Sequence, residues 1–386
     1  MPEHFDVAVI GGGIQGTGIA QAAAAAGYSV VLVEKDALAA GTSSKSSKLI
    51  HGGLRYLQQG RLRMVRDALK DRQVLCRVAP HLVQLNHFYI PVYRHSVYRP
   101  WKLRAGLALY ALLAGLGRDA AFRQVPRRQW PELGIETRGL QAVFRYSDGQ
   151  TDDQRLTQAV MQSAQSLGAQ LREHTTLLAA TAQAQGYSLS LSNGETLHCR
   201  VLINAAGPWV NEVADVIHPA PQQLDVSLVQ GSHLVLERQL SAQCFYVESP
   251  DDRRAIFVLP WRGQTLLGTT EKAFSGDPDR VEVSEEEERY LLRTLAHYFP
   301  DYVRDGVNVC ERMAGLRVLP ASEGAAFSLS REMRLAQDWD GQRGYIGIYG
   351  GKLTGYRSHA IKIVALLKTY LGARAARADT ATLRLP

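Results

Sequence analysis

The sequence predicts a fold of the α/β class (α+β overall), in which an antiparallel-sheet domain is inserted into a parallel-sheet domain. Residues 5–34 predict a buried strand, a glycine-rich turn, an alanine-rich helix and a second strand, the order of a parallel β-α-β unit. Residues 224–270 instead carry successive short strands separated by turns, as antiparallel sheets do. The 386 residues exceed the roughly 250–300 at which a single core stops growing. We therefore expect a Rossmann-like domain with a second sheet inserted into it.

The N-terminal unit carries a glycine pattern that is typical of a dinucleotide-binding turn. Gly11, Gly13 and Gly16 have G-x-G-x-x-G spacing between the first strand and the helix. The first permits a tight turn, the second lets backbone approach a pyrophosphate, and the third lets the helix pack on the strand. The helix N-terminus offers N–H groups to phosphates, and Glu34 at the end of the second strand can accept hydrogen bonds from a ribose diol. The motif indicates a dinucleotide and leaves its identity open.

Two further segments place small or polar residues where a ligand can contact backbone. Residues 39–47, here called the serine-rich loop, carry hydroxyl and N–H groups able to continue the phosphate site. A flexible connector explains the same composition. A predicted strand over 201–204 ends in Ala-Ala-Gly-Pro-Trp, residues 205–209. Small residues at that position allow a close approach of backbone to a flat or bulky ligand.

The net charge is +7, and much of it lies in residues 94–128, which hold eight basic residues and one acid. Within them, residues 105–117 predict an apolar helix with basic flanks, too short to span a bilayer. Such a helix suits the surface of an anionic membrane, and a buried helix with solvated basic ends explains the pattern equally well. No basic platform interleaved with aromatic residues is apparent in the sequence, which disfavours nucleic acid as a partner.

Cysteine usage and hydropathy suggest the cellular context. Cys76, Cys199, Cys244 and Cys310 lie far apart with no C-x-x-C pair. We expect reduced core thiols in a cytosolic protein, with neither a disulfide framework nor a metal site. The first apolar run is a strand followed by a glycine turn, so no signal peptide is expected, and no apolar stretch reaches the ~18 residues of a membrane span. These features predict a cytoplasmic protein, or one bound peripherally to the inner face of the cell membrane.

The chain resembles the FAD-dependent glycerol-3-phosphate dehydrogenases, within the D-amino-acid-oxidase-like flavoprotein superfamily. The resemblance becomes specific at GTSSKSSKLIHGGLRYL (residues 41–57) and continues in order over nearly the whole chain. The other motifs are APHLV (79–83), NAAGPWV (204–210), GSHLVL (231–236), VLPW (258–261), LLGTTE (266–271), AGLRVL (314–319) and YGGKLTGYR (349–357). The resemblance implies non-covalent FAD, no metal, and a short form without the helical C-terminal domain of typical members.

The resemblance also implies roles for individual side chains. His51 is expected to be the base that takes the hydroxyl proton, and Arg317 to polarise the substrate oxygen or bind its phosphate. A structural core histidine explains His51 as well, and His233 is the reserve base. The expected substrate contacts are Arg55, Tyr56, His233, Thr270, Arg331 and Lys352. The expected FAD contacts are Gly11, Gly13, Ile14, Gln15, Gly16, Glu34, Lys35, Thr42, Ser43, Ser44, Lys48, Leu49, Ile50, Leu177, Ala205, Ala206, Gly207, Trp209, Gly350, Gly351, Lys352, Leu353 and Thr354.

The implied activity is oxidation of sn-glycerol 3-phosphate to dihydroxyacetone phosphate by hydride transfer to flavin N5, with electrons passed to quinone or another acceptor. Two other functions stay open: an enzyme of the same fold that oxidises another anionic hydroxy acid, amine or amino acid, and a non-catalytic FAD-binding partner subunit. A simple NAD-linked enzyme leaves the motifs at 204–210 and 349–357 unexplained. Lys45, Val318 and Gly355 depart from the family pattern near the expected pocket.

The predicted domains are discontinuous. We expect residues 1–90, 145–223 and 310–386 to form the FAD-binding domain. Residues 91–144 and 224–309 are expected to form the substrate domain, including the helix at 105–117 that is suited to a membrane surface.

Overall fold

The computed structural model describes residues 3–320 and 333–386. Within them, the α-helices are α1 (Ile14–Ala25), α2 (Leu54–Gln58), α3 (Leu62–Val78), α4 (Pro100–Leu113), α5 (Asp153–Ser166), α6 (Val210–Asp215), α7 (Glu285–Tyr298), α8 (Pro300–Val303) and α9 (Tyr356–Leu371). The strands are β1 (Glu3–Ile10), β2 (Val30–Val33), β3 (Leu49–Ile50), β4 (Val83–Tyr93), β5 (Arg123–Gln124), β6 (Leu140–Thr151), β7 (Gln170–Arg172), β8 (Leu177–Ala182), β9 (Tyr187–Leu191), β10 (Thr196–Asn204), β11 (Ile217–His218), β12 (Val226–Leu236), β13 (Cys244–Glu248), β14 (Ala255–Trp261), β15 (Gln264–Gly268), β16 (Lys272–Phe274), β17 (Val309–Pro320), β18 (Arg334–Trp339) and β19 (Gly344–Tyr349).

The first sheet contains the predicted parallel unit. Its strand order is β11-β8-β9-β10-β1-β2-β7, with β19 beside β10 and β18 beside β19. β1 pairs in parallel with both β2 and β10, and β10 pairs in parallel with β19. Parallel strands joined by helices require crossover connections, as in a Rossmann-like domain. The sheet confirms the α/β class predicted from the first 34 residues.

Helix α1 is almost entirely buried, which explains its composition. It packs against α5 and α9 as well as against β1 and β2. Ala20, Ala23 and Ala24 are fully buried within the same core cluster as Val30 and Leu32. Alanine combines high helix propensity with a side chain small enough for close packing on several neighbours. The helix is therefore held so that its N-terminus lies at the carboxyl end of β1.

The second sheet is larger than the sequence predicts. Its order is β16-β12-β15-β14-β13-β4-β6-β3, with β17 beside β12 and β5 beside β6. The pairs are antiparallel except for β4 with β13. The strands predicted over 224–270 are confirmed, but β3, β4, β6 and β17 also belong to this sheet. The sequence placed these in or mostly in the FAD-binding domain; the domain boundaries stay a prediction.

The helix predicted over 105–117 is observed as α4, which begins earlier, at Pro100, and ends at Leu113, before the last four residues of the apolar segment. Leu107, Tyr110 and Ala111 are buried against the second sheet and α3, whereas Trp101 and Leu112 are 67% and 58% exposed. The two sequence interpretations, a buried helix and a surface-binding helix, thus each describe one face. Among the described residues, no helix is both long and apolar enough to cross a membrane.

The cysteine prediction holds in part. Cys199 and Cys244 are buried free thiols and Cys76 is half-buried, but Cys310, next to the first residue of β17, is exposed. The expectation of a core thiol at Cys310 is wrong. No cluster of potential metal ligands occurs in the ranges 3–320 and 333–386.

Candidate active site

A cleft of about 430 Å³ is lined by residues from both sheets. Its walls include the β1–α1 turn, the end of β2, the serine-rich loop, the end of β10, parts of β12, β14 and β17, and the turn at 350–354. Most residues that the sequence assigned to a ligand line it. Gly16, Ser44, Lys48 and Ile50 do not, and Arg331 lies outside the described residues.

The glycine turn is shaped by contacts that exclude any side chain. Gly11 has φ +110°, and a Cβ there would lie 2.6 Å from the carbonyl oxygen of Ala205. A Cβ on Gly16 would overlap the carbonyl oxygen of Gly11. Gly13 caps α1 without a side-chain hydrogen bond of its own. The turn is therefore a backbone cradle at a helix N-terminus, suited to a pyrophosphate.

Glu34 closes this cradle from the end of β2. Its carboxylate accepts hydrogen bonds from the N–H of Gly12 and, at 2.8 Å, from the N–H of Asp36. It thereby orders the turn in addition to lining the cleft. Nearby, Lys35 places its Nζ 4.1 Å from the ring centre of Trp209. The indole Nε1 of Trp209 is buried and has no hydrogen-bond partner among the described residues, which leaves its N–H available to a ligand in the cleft.

The serine-rich loop contacts both halves of the molecule. Ser43 Oγ accepts from the N–H of Ile14 at 2.9 Å, and Thr42 Oγ1 donates to the carbonyl of Leu316 on β17 at 2.8 Å. Ser47 Oγ lies 2.9 Å from His233 Nε2 on β12. The loop is therefore an ordered wall of the cleft. The interpretation as a flexible connector does not fit these contacts.

His51 follows β3 and lines the cleft. Its N–H donates to Thr354 Oγ1 at 3.1 Å, and its ring contacts Phe257 edge-on at 6.3 Å between centres. The next residue, Gly52, donates its N–H to the hydroxyl of Tyr110 on α4 at 2.9 Å. That hydroxyl donates in turn to Asp148. Buried hydrogen bonds therefore fix the backbone that carries His51.

Three arginines converge on one carboxylate in the cleft. Glu271 lies 3.3 Å from Arg55 Nη1, 3.7 Å from Arg254 Nη1 and 3.7 Å from Arg317 Nη1. Arg254 also donates to the main-chain carbonyl of Glu271 at 2.6 Å. The four side chains carry a formal charge of +2, which favours an anionic ligand. Arg254 and Glu271 were missed in the sequence, although Glu271 ends the LLGTTE motif and Arg254 directly precedes β14.

The hydroxyl of Thr270, a residue of the cleft lining, is hydrogen-bonded within the protein. The Thr270 hydroxyl donates to Glu287 at 2.6 Å and accepts from the N–H of Ser232 at 2.9 Å. Burial raises the pKa of Glu287, but hydrogen bonds led by that of Thr270 outweigh it and hold the pKa below its ordinary value. Thr269 is the neighbour that contacts the arginines, since Arg317 Nη2 donates to its hydroxyl at 3.2 Å. The donor of the Thr270 hydroxyl is therefore already used, and only its second lone pair remains to accept a hydrogen bond from a ligand.

Lys352 belongs to the second glycine-containing turn, at residues 350–354, on the other side of the cleft from the β1–α1 turn. Its Nζ lies 3.7 Å from the ring centre of Tyr56 and 2.8 Å from Met64 Sδ. The turn itself is tied to α1, because Gln15 Nε2 donates to the carbonyl of Lys352 at 3.1 Å. These contacts bring together Tyr56, Lys352 and helix α1, which are far apart in sequence.

His233 is fully buried and electrically neutral. Burial lowers its pKa to about 3, and the positive charges of Arg317 and Lys48 act in the same direction. Its Nδ1 has no hydrogen-bond partner in the part of the chain that the structure describes. Such a low pKa makes His233 a weak proton acceptor, so this geometry favours His51 over the reserve base.

The neutral state of His233 predicts acid lability. The unfolded state, with a pKa near 6.5, binds a proton between about pH 3 and 6.5 that the folded state excludes. The free energy of unfolding should therefore fall as pH drops through this window, by up to about 1.4 kcal/mol per pH unit from this group. We expect thermal unfolding of His233→Asn holoprotein to depend less on pH between 7.5 and 5 than that of the wild type. An unchanged slope in His233→Asn would contradict the assignment.

Comparison with known proteins agrees with this geometry. Residues 6–362 match the family model described as FAD dependent oxidoreductase. A glycerol-3-phosphate dehydrogenase of Pseudomonas aeruginosa is 36% identical over 378 residues, covering 96% of this chain and 73% of that protein. A D-erythritol 1-phosphate dehydrogenase of Brucella abortus is also 36% identical, covering 95% of this chain and 74% of that protein. The structure of the glycerol-3-phosphate dehydrogenase of Bacillus halodurans complexed with FAD has a TM-score of 0.75 and 26% identity, covering 99% of this chain and 68% of that one.

Proposed function

Since the chain belongs to the FAD-dependent oxidoreductase family, we propose that it oxidises the secondary alcohol of sn-glycerol 3-phosphate to the ketone of dihydroxyacetone phosphate. The observation that carries the proposal is the arginine cluster around Glu271, which lines the same cleft as His51 and the glycine cradle. A base, an anion site and a dinucleotide cradle are the three parts that this oxidation needs.

The cleft fits FAD on its own geometry. Side chains are excluded from the turn at Gly11 and Gly16, and the buried Nε1 of Trp209 offers an unpaired donor. We propose that the β1–α1 turn, Glu34 and the serine-rich loop hold the ADP part, and that the turn at 350–354 contributes N–H groups at the flavin. FAD held in this way would supply the electron acceptor for the hydride equivalent that the substrate carbon loses.

The arginines are proposed to bind the phosphate group. A guanidinium presents two parallel N–H donors that match two phosphate oxygens, whereas an ammonium acts as a point charge. Arg55 comes from α2, Arg254 directly precedes β14 and Arg317 comes from β17, so they approach from different segments of the chain. Lys352 and Tyr56 are proposed to contact the remainder of the substrate.

His51 is proposed to take the proton of the substrate hydroxyl as the carbon–hydrogen bond is broken. The hydrogen bond to Thr354 and the buried partners of Gly52 hold its backbone in place. A base that is already held in place loses less conformational entropy when the transition state forms.

A longer phosphorylated polyol is the second candidate substrate. The relative from Brucella abortus that bears the name D-erythritol 1-phosphate dehydrogenase is as similar to this chain as the glycerol-3-phosphate dehydrogenase from Pseudomonas aeruginosa. The arginine cluster suits the phosphate of either compound. A carboxylate substrate such as a hydroxy acid or amino acid would place one fewer negative charge against it.

The test is the visible spectrum of the purified holoprotein, kept anaerobic, before and after addition of each candidate. Bleaching of the yellow flavin by sn-glycerol 3-phosphate is the expected result. Bleaching only by D-erythritol 1-phosphate would favour the longer polyol, and bleaching only by D-glycerate or an amino acid would overturn the phosphate assignment. A yellow protein that none of them bleaches would support a non-catalytic FAD-binding subunit.

The electron acceptor is proposed to be quinone, reached at a membrane surface. Val97, Trp101, Leu112 and Leu116 form a set of exposed apolar side chains at α4 and its ends, between 51% and 70% exposed. Arg99, Lys102 and Arg104 are exposed on the same segment. Apolar side chains flanked by basic ones suit peripheral binding to anionic lipid at the inner face of the cell membrane.

Binding to liposomes tests this surface. We expect the holoprotein to bind vesicles rich in anionic lipid at low salt and to be released as salt rises, since screening weakens the attraction. Arg99→Glu, Lys102→Glu and Arg104→Glu together should abolish binding, as each basic residue near the surface contributes about 1 kcal/mol. The control with Arg280→Glu, Arg293→Glu and Arg304→Glu changes the net charge equally elsewhere and should bind. Equal binding by both triple variants would remove the proposal.

A further inference from the structure

We propose that the buried ion pair between Lys48 and Asp153 is a positioning device that holds the serine-rich loop in its FAD-binding conformation. Sequence reasoning placed Lys48 among the FAD contacts. Lys48 itself does not line the cleft, and its side chain instead contacts Asp153, the cleft-lining first residue of α5.

The ion pair is short and buried, and both carboxylate oxygens of Asp153 accept hydrogen bonds. Lys48 Nζ lies 2.6 Å from Asp153 Oδ1, and the two side chains are only 4% and 0% exposed. Asp153 Oδ2 accepts from both the N–H of Ser46 at 3.0 Å and the hydroxyl of Ser46 at 2.6 Å. Lys48 Nζ also donates to the carbonyl of Ser44. One carboxylate and one ammonium therefore hold the backbone at Ser44, Ser46 and Lys48, at the end of the loop.

The backbone at Lys48 needs such support. Its φ is +60°, a left-handed conformation that non-glycine residues seldom adopt. The carbonyl of Lys48 accepts from the N–H of Thr151 at 2.8 Å, and β3 begins at the next residue. The strained residue is thus the junction at which the loop becomes a strand of the second sheet. A conformation of this kind persists only where its surroundings hold it.

The position of this junction determines what the loop presents to FAD. Ser43 contacts the N-terminus of α1, and Ser47 contacts His233 on β12. Both lie on the stretch of chain that Lys48 terminates. If the junction shifts, the hydroxyl and N–H groups along this wall of the cleft shift with it.

A direct electrostatic effect of Asp153 on FAD and a positioning role of Asp153 predict opposite effects of Asp153→Asn on the affinity for FAD. Asp153 is among the residues that line the cleft, where the anionic pyrophosphate of FAD would bind. If Asp153 acted only through its own charge, Asp153→Asn would remove a repulsion and tighten FAD binding. If Asp153 positions the loop, the same variant leaves Lys48 buried without its counter-charge and weakens FAD binding.

The experiment measures FAD release from the holoprotein. Holoprotein of the wild type, Lys48→Met, Asp153→Asn and the double variant is diluted, and the fluorescence of free FAD gives the dissociation constant. We expect each single variant to bind FAD about 10- to 100-fold more weakly, as loss of a hydrogen bond to a charged group implies. The double variant should bind no more weakly than either single variant, because both remove one shared interaction.

Two controls separate positioning from general loss of stability. Asp71 and Arg357 form a second, largely buried pair, 3.3 Å apart with side chains 3% and 13% exposed, and neither lines the cleft. Asp71→Asn should lower the unfolding temperature comparably while leaving the FAD dissociation constant within about threefold of the wild type. If Asp153→Asn does not fold, Ser46→Ala removes one hydrogen bond to Asp153 without leaving a buried charge, and it should weaken FAD binding severalfold.

Salt dependence distinguishes a direct phosphate contact by Lys48. If the ammonium neutralises a phosphate of FAD, Lys48→Met flattens the dependence of the dissociation constant on salt; if Lys48 only positions the loop, the slope stays as in the wild type. Tighter FAD binding by Asp153→Asn, a flattened slope in Lys48→Met, or additive losses in the double variant would each overturn the proposal.

Discussion

His51→Asn is expected to yield a yellow holoprotein whose reduction by sn-glycerol 3-phosphate is slowed by about 10²- to 10⁴-fold, the usual contribution of a positioned base. Asparagine keeps a side chain of similar volume that can form hydrogen bonds, but it cannot accept the hydroxyl proton at neutral pH. The FAD dissociation constant should change little, because the His51 contact to Thr354 is made by its backbone N–H. The measurement is the anaerobic rate of flavin bleaching at saturating substrate.

The matched control for this variant is His87→Asn. His87 is an exposed residue of β4 that does not line the cleft, so its replacement should leave the bleaching rate unchanged. A rate in His51→Asn within threefold of the wild type would exclude His51 as the base. Loss of FAD from His51→Asn would instead indicate a structural role.

Gly16→Ala is expected to give the second large effect, a protein that is purified without FAD. The new Cβ would overlap the carbonyl oxygen of Gly11, so either α1 or the glycine turn must move. Because Gly11 already lies against the carbonyl of Ala205, the turn has no room to retreat. Overpacking of this kind costs about 1–3 kcal/mol of stability, and the displaced turn no longer fits a pyrophosphate.

The FAD content of Gly16→Ala is measured by its absorbance ratio after gel filtration with added FAD. Gly106→Ala is the control, because a Cβ on Gly106 of α4 meets nothing within 4 Å. It should bind FAD stoichiometrically. Stoichiometric FAD in Gly16→Ala as well would show that the turn tolerates displacement and would contradict the cradle proposed here.

Several elements were predictable because their causes lie close together in the chain. The strand, glycine turn and helix of residues 5–26 depend on apolar runs, alanine propensity and glycine spacing, all of which are local. The capping box of α7, in which Ser284 and Glu287 exchange hydrogen bonds, follows from four adjacent residues. Each of these could be predicted without knowing what packs against it.

The arginine cluster around Glu271 and the ion pair between Lys48 and Asp153 could not be predicted in this way. Arg254 and Glu271 acquire a role only because β14 and β15 pair and bring them beside Arg55 and Arg317. Residues 269 and 270 are both threonine, so the sequence does not distinguish them. Only the packing of α7 decides that the Thr270 hydroxyl donates a hydrogen bond to Glu287. Lys48 looks like a phosphate ligand until Asp153, more than a hundred residues away, is seen to hold it.

The sequence by itself therefore determined the α/β class, the dinucleotide cradle and the family motifs that indicate FAD. These depend on backbone conformation and local composition, which neighbouring residues decide. Only the tertiary structure decided that β3, β4, β6 and β17 join the second sheet, which face of α4 is buried, and which charged side chains meet in the cleft. Those outcomes depend on strand pairing and burial between segments that are distant in the chain. The free energy of a buried charged group depends on the partners that it meets there, and its neighbours in sequence do not reveal them.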